Sequence, residues 1–224
     1  MSIKEQLAIV KSTLPTTTRL IAVSKTKPVE DLQQAYDAGQ RVFGENKALE
    51  MRDKHEVLPK DIEWHFIGHL QTNKIKYIVP FVSLIHSVDS LNLLKEINKE
   101  AAKKGRAIDC LLQFHIASED TKFGLDYTEA EALLNSEEYA SMENIRIVGV
   151  MGMATFTSDT DKVRAEFKNL KTIFDKLKEK YFADSDSFKE ISMGMSDDYK
   201  IAIEEGSTLV RVGSAIFGAR NYAI

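Results

Sequence analysis

Short apolar runs alternate with amphipathic stretches from one end of the chain to the other. Runs rich in β-branched and aromatic residues predict strands at Arg19–Thr26, Arg41–Asn46, Ile62–Gly68, Ser83–Asp89, Ala107–Ile116, Ile145–Met153, Phe188–Met195 and Thr208–Gly218. Between them the spacing is helical. Val29–Ala38 opens after Pro28, a residue suited to the start of a helix, and stops at Gly39. Ser90–Lys104 aligns Leu91, Leu94, Ile97 and Ala101 behind an N-cap serine. Ser158–Tyr181 carries the longest stripe, Val163, Phe167, Leu170, Phe174 and Leu177, and Met1–Ser12 adds a helix before the first strand. The most polar connection, Gly124–Asn144, contains a short helix candidate at Thr128–Asn135.

Eight strand–helix units in 224 residues give roughly 28 residues each, about the length of a βα unit. Near-continuous apolar strands separated by helices predict a parallel sheet, and eight of them predict closure into a (β/α)8 TIM barrel. The fold class is therefore α/β, with residues 1–224 forming one domain. The alternative, an open doubly wound sheet, lacks its Gly-x-Gly-x-x-Gly fingerprint after the first strand.

Composition narrows the class without changing it. Hydrophobic residues make up 43% and charged residues 29%, as in an ordinary globular protein. The single cysteine, Cys110, excludes an intramolecular disulfide and fits a reducing, cytoplasmic setting. The first residues turn charged before any apolar run, which predicts no leader peptide, and no stretch reaches the ~20 apolar residues of a membrane span. A net charge of −4 argues against general nucleic-acid binding.

In a barrel, chemistry collects at the C-terminal strand ends, and the unusual residues fall there. The first strand ends Val23-Ser24-Lys25-Thr26-Lys27-Pro28. Alternation puts Ile21, Val23 and Lys25 on one face, so a lysine sits at the rim above two apolar residues. Taken alone, such a lysine is most often a solvated rim residue. Partial burial and the nearby Lys27 cation would instead lower its pKa and free it to attack an aldehyde. After the seventh and eighth strands, Gly194 and Gly213 permit close backbone approach, while Ser196 and Ser214 offer hydroxyls, the pattern of a barrel phosphate site. Ser196 reads equally as the N-cap of a crossover helix over Asp197–Glu205. Arg211 lies inside the apolar run Leu209–Val212 and needs either an ion-pair partner or a cofactor ring nitrogen to face. His65 and His69 lack a third ligand for a metal, and His55, His86 and His115 read as structural or surface residues. Met151, Met153, Met193 and Met195 read first as core filler and second as a ring pocket.

Six segments together resemble the pyridoxal phosphate homeostasis proteins, also described as proline synthase co-transcribed proteins. They are Ala22–Pro28, Phe43–Asn46, His65–Lys74, Gly149–Ala154, Ser192–Tyr199 and Val210–Gly218. The family is similar to the alanine racemase barrel without its C-terminal β-domain. The resemblance implies pyridoxal 5′-phosphate held as a Schiff base on Lys25, with Asn46 beside the cofactor; Met195, by the ring-pocket reading, is a further candidate contact to it. It also implies Arg211 near the ring nitrogen and Ser196, Gly213 and Ser214 at the phosphate, with Lys27 a neighbouring amine. A monomeric carrier involved in vitamin B6 homeostasis follows, with pyridoxal-phosphate-dependent client enzymes as possible partners. The alternatives are an amino-acid racemase, for which no second base is evident, and a Schiff-base aldolase.

Overall fold

The computed structural model describes residues 1–118 and 123–219. Eight strands, β1 Arg19–Val23, β2 Val42–Glu45, β3 Glu63–Phe66, β4 Leu84–Val88, β5 Ile108–Gln113, β6 Ile145–Met151, β7 Glu190–Ser192 and β8 Leu209–Val212, pair in sequence order. All neighbours are parallel, and β8 returns to β1 with Ile21 opposite Arg211, so the sheet closes. The eight-unit reading of the pattern is the fold that forms. No helix among the described residues is long and apolar enough to cross a membrane.

Alternation along each strand separates two apolar layers. Outward-facing Leu20, Ala22, Phe43, Trp64, Phe66, Ile85, Leu112 and Val210 pack under the helices. Inward-facing Ile21, Val42, Leu84, Leu111, Val148, Met151 and Leu209 plug the barrel. Above that plug the inner face becomes polar: His65, His86, Gln113, Ser192 and Arg211 are all buried there. The helices carry their own signals. Ser2 and Glu5 form a reciprocal capping box at Ile3–Ser12, Asp126 and Glu129 do the same at Tyr127–Leu134, and Ser90 caps Leu91–Ala102. The polar connection 124–144 thus holds the expected short helix and a second, Glu137–Ala140.

The largest departures from the expected strand bounds lie at the functional face. β1 stops at Val23, because the chain turns through Thr26 at φ 64°, so Lys25 sits on a turn. β8 stops at Val212, not Gly218, and Ser214–Phe217 coils into a single helical turn. The crossover helix between β7 and β8 covers only Tyr199–Glu204 instead of Asp197–Glu205.

Candidate functional site

The C-terminal strand ends surround a cavity of about 490 Å³. Lys25, Asn46, Met195, Ser196, Arg211, Gly213 and Ser214, drawn from four separate strand ends or the turns after them, all border it. Phe123 and Phe156 stand exposed at its mouth with Met153 and Met195, whereas Met151 and Met193 are buried. The two readings of the methionines therefore divide: one of each Met-x-Met pair fills the core and the other lines the cavity.

The turn carrying Lys25 is fixed from behind by a buried ionic cluster. Glu45, at the end of β2, faces outward beneath helix Ala48–Val57. Its Oε1 accepts from Ser24 Oγ at 2.6 Å and from Lys54 Nζ at 2.7 Å. Lys54 Nζ also donates to the Ser24 carbonyl at 2.8 Å and to Glu50 Oε1 at 2.7 Å. That same Glu50 oxygen accepts the Thr26 backbone N–H at 2.7 Å. Thus the residues on both sides of Lys25 are tied to one cluster. Thr26, β-branched and left-handed, is a conformation that costs about 1–3 kcal/mol and persists only where its surroundings impose it. Burial raises the Glu45 carboxyl to about 7, against the opposing pull of Lys54.

Lys27, the neighbouring cation inferred from the sequence, is tied to the chain after β8. Its Nζ donates to the carbonyls of Phe217 and Ala219 at 2.9 and 2.8 Å. It therefore fastens the chain after β8 to the β1 turn while bordering the cavity.

The chain after β7 and the chain after β8 converge. Gly213 N–H donates to Ser196 Oγ at 3.2 Å, although the two residues are 17 positions apart. A Cβ on Gly213 would stand 3.0 Å from the Val23 carbonyl oxygen, so the glycine is what lets this backbone close against β1. The helix-dipole part of the phosphate expectation needs correction. The helix after Ser196 has six residues, Ser196 does not cap it, and Asp198 Oδ1 takes the Met195 N–H at 2.6 Å. What remains for an anion is a cradle of loop backbone, two hydroxyls and the charge of Arg211.

Arg211 has a hydroxyl and a carbonyl as partners in place of a carboxylate. It is 4% exposed and is not ion-paired to any described carboxylate within 4 Å. One guanidinium nitrogen donates to Ser192 Oγ and the other to the Gly152 carbonyl at 3.1 Å. Burial lowers its pKa to about 10, which leaves it charged at neutral pH. Ser192 Oγ in turn lies 2.8 Å from His86 Nδ1, and His86 Nε2 lies 3.0 Å from His65 Nδ1. Burial holds His65 down to about 3 and His86 well below the usual imidazole value, so both are neutral. His65 thus pairs with His86 on the neighbouring strand β4 instead of with His69, and the described residues contain no cluster suited to a metal.

Sequence reasoning missed Ser192, His86 and the Glu45–Lys54–Glu50 cluster. Strand parity was the available signal for His86, since it shares the inner face of β4 with Leu84. For Glu45 the signal was the one used for Arg211, a charge inside an apolar strand.

The donor set fits a phosphorylated pyridine aldehyde. An amine, a charged guanidinium and the Ser196–Gly213–Ser214 cradle open into one space. Asn46 Oδ1 is buried without a hydrogen-bond partner, and the backbone of Asn46 stands 2.5 Å from where a Cβ on Gly68 would lie. Its placement beside the cavity is thus set by a glycine that nothing larger could replace without a shift.

Residues 1–221 match the family model for the alanine racemase N-terminal domain. A pyridoxal phosphate homeostasis protein of Aquifex aeolicus is 40% identical over 206 residues, covering 91% of this chain and 88% of that protein. The structure of PipY from Synechococcus elongatus with pyridoxal phosphate bound aligns at TM-score 0.86 and 35% identity, covering 97% of this chain and all of that one. Alanine racemase from Bartonella henselae, 18% identical, shares the fold at TM-score 0.70, and this chain spans 60% of its length. The chain belongs to the alanine racemase N-terminal domain family and, within it, to the pyridoxal phosphate homeostasis proteins.

Proposed function

We propose that this protein binds pyridoxal 5′-phosphate through Lys25 and acts as a carrier in vitamin B6 homeostasis. The observation that carries the reading is the opening of Lys25, Arg211 and the Ser196–Gly213–Ser214 cradle into one cavity. When bound, the cofactor supplies an aldehyde, which condenses with a primary amine with loss of water, and an electron-withdrawing ring.

Each role falls to a named residue. Lys25 provides the amine, presented by the turn that Glu45, Glu50 and Lys54 hold. Ser196, Ser214 and the Gly213 backbone receive the phosphate by hydrogen bonds, and Asn46 and Met195 flank the ring. Arg211 offers a donor toward the ring nitrogen and, being permanently charged, leaves that nitrogen unprotonated. An unprotonated ring withdraws electrons weakly, which suits holding the cofactor better than stabilising a carbanion. Among the described residues lining the cavity no tyrosine or cysteine offers a second base for the racemase alternative; the titratable side chains there besides Lys25 are Lys27, His69, Asp197 and Arg211.

The carrier reading includes a cytoplasmic location, a monomeric state and delivery to pyridoxal-phosphate-dependent client enzymes. The test is titration of the full-length apo-protein with pyridoxal phosphate, followed by incubation of the loaded protein with a panel of L-amino acids. Binding seen as a shifted visible band, with the amino acids keeping their configuration, supports the carrier. Efficient racemisation would replace it with the enzyme reading.

A further inference from the structure

The hydrogen-bonded column below Arg211 has a direction, and arginine sets it. A guanidinium only donates, so Ser192 Oγ accepts from Arg211 and has one hydroxyl proton to give. That proton goes to His86 Nδ1. His86 is neutral, so its proton lies on Nε2 and is donated to His65 Nδ1, which places the His65 proton on Nε2. The reversed order would aim two imidazole N–H dipoles toward the guanidinium. It would also leave the Ser192 hydroxyl proton without an acceptor, since among the described residues Ser192 Oγ contacts only Arg211 and His86.

All four side chains are buried, with exposures of 4% or less. They come from β3, β4, β7 and β8, so the column crosses the barrel interior from the cavity to the plug. His65 borders a separate space of about 350 Å³ at the opposite strand ends, beside Arg19, Glu63, Asp109 and Arg146. A buried guanidinium is ordinarily paired with an opposite charge. Here the acceptors are a hydroxyl and the Gly152 carbonyl, and the hydroxyl is held by two histidines.

From this geometry we propose that Ser192, His86 and His65 are positioning residues for Arg211. They would fix the guanidinium so that it presents a donor to the pyridine nitrogen of the bound cofactor. The inference rests on the pyridoxal phosphate reading above, and its test separates the two.

Affinities of the full-length apo-protein are measured for pyridoxal phosphate and for its 1-deaza analogue, which keeps aldehyde and phosphate but has carbon in place of the ring nitrogen. Wild type should prefer the natural cofactor by roughly tenfold, the size of one hydrogen bond to a charged donor. Ser192→Ala and His86→Asn should reduce that preference to roughly twofold or less while binding of the analogue changes little. Ser192→Thr, which keeps the hydroxyl, should restore it. Equal binding of both compounds by wild type would overturn the placement of Arg211 at the ring nitrogen. A wild-type preference that survives in both variants would overturn the column alone. Nitrogen-15 NMR of the wild-type apo-protein tests the direction without any substitution: both His65 and His86 should appear as neutral Nε2–H tautomers. An Nδ1–H tautomer at His86 contradicts the proposal.

Discussion

Replacing Glu45 by glutamine should change how stability depends on pH, in a direction the structure fixes. Burial holds the Glu45 carboxyl near pH 7 in the folded protein, against the ordinary 4.5 expected once unfolded. Below pH 4.5 the group is protonated in both states, and its contribution to stability is complete. Between 4.5 and 7 the unfolded chain releases the proton first, so stability falls as pH rises, and above 7 the loss is complete. The interval corresponds to about 3 kcal/mol. His65 and His86 act oppositely: their folded values lie below that of free imidazole, so they remove stability as pH falls below about 6.5. The raw pH curve of the wild type therefore mixes the two, and only the difference from Glu45→Gln isolates the carboxyl. The glutamine keeps the size of the side chain and leaves Lys54 its contact with Glu50. Urea unfolding at pH 4.5, 6 and 8 should show the variant gaining about 3 kcal/mol on the wild type across that range. A difference that stays constant within about 1 kcal/mol would refute the burial argument. A shift of opposite sign would show that the attraction of Lys54 outweighs burial.

Other expectations follow from single features of the site. Unphosphorylated pyridoxal should bind the apo-protein at least ~100-fold more weakly than its phosphate, about 3 kcal/mol, and inorganic phosphate should compete; both are read by equilibrium titration. Gly213→Val should weaken binding at least ~10-fold with Lys25 intact, because the added side chain meets Val23 where the backbone closes the cradle. Thr26→Gly removes the left-handed strain and should leave the protein equally stable or about 1 kcal/mol more stable in thermal unfolding. The same variant should slow the appearance of the cofactor's bound absorbance band, since the turn bearing Lys25 becomes freer. Sedimentation equilibrium should give the mass of a monomer, and a concentration-independent dimer would contradict that reading.

The barrel was readable because eight near-continuous apolar strands leave few ways to be covered. Arg211 stood out because a charge between Val210 and Val212 demands an explanation from any fold. The clusters that hold the site were hidden for a different reason. His65 and His86 are 21 positions apart and meet only after parallel pairing turns both inward, and Ser192 joins them from another strand more than a hundred positions on. Lys54 looks like an exposed helical lysine until helix Ala48–Val57 lies over the end of β2 and buries its amine against Glu45. The short turns after β7 and β8 were misjudged in length, because the hydrophobicity of Ala215, Ile216 and Phe217 continues the strand pattern. It is the backbone approach permitted by Gly213 that begins a helical turn instead.

The central claim is that Lys25 is the residue to which the cofactor attaches. Borohydride reduction of the loaded wild-type protein, proteolysis and mass-spectrometric mapping of the labelled peptide test it most directly. The pyridoxyl group is expected on Lys25, with Lys27 unlabelled because its amine fastens the carbonyls of Phe217 and Ala219. Label found chiefly on Lys27, or on a lysine outside the cavity, would contradict the claim.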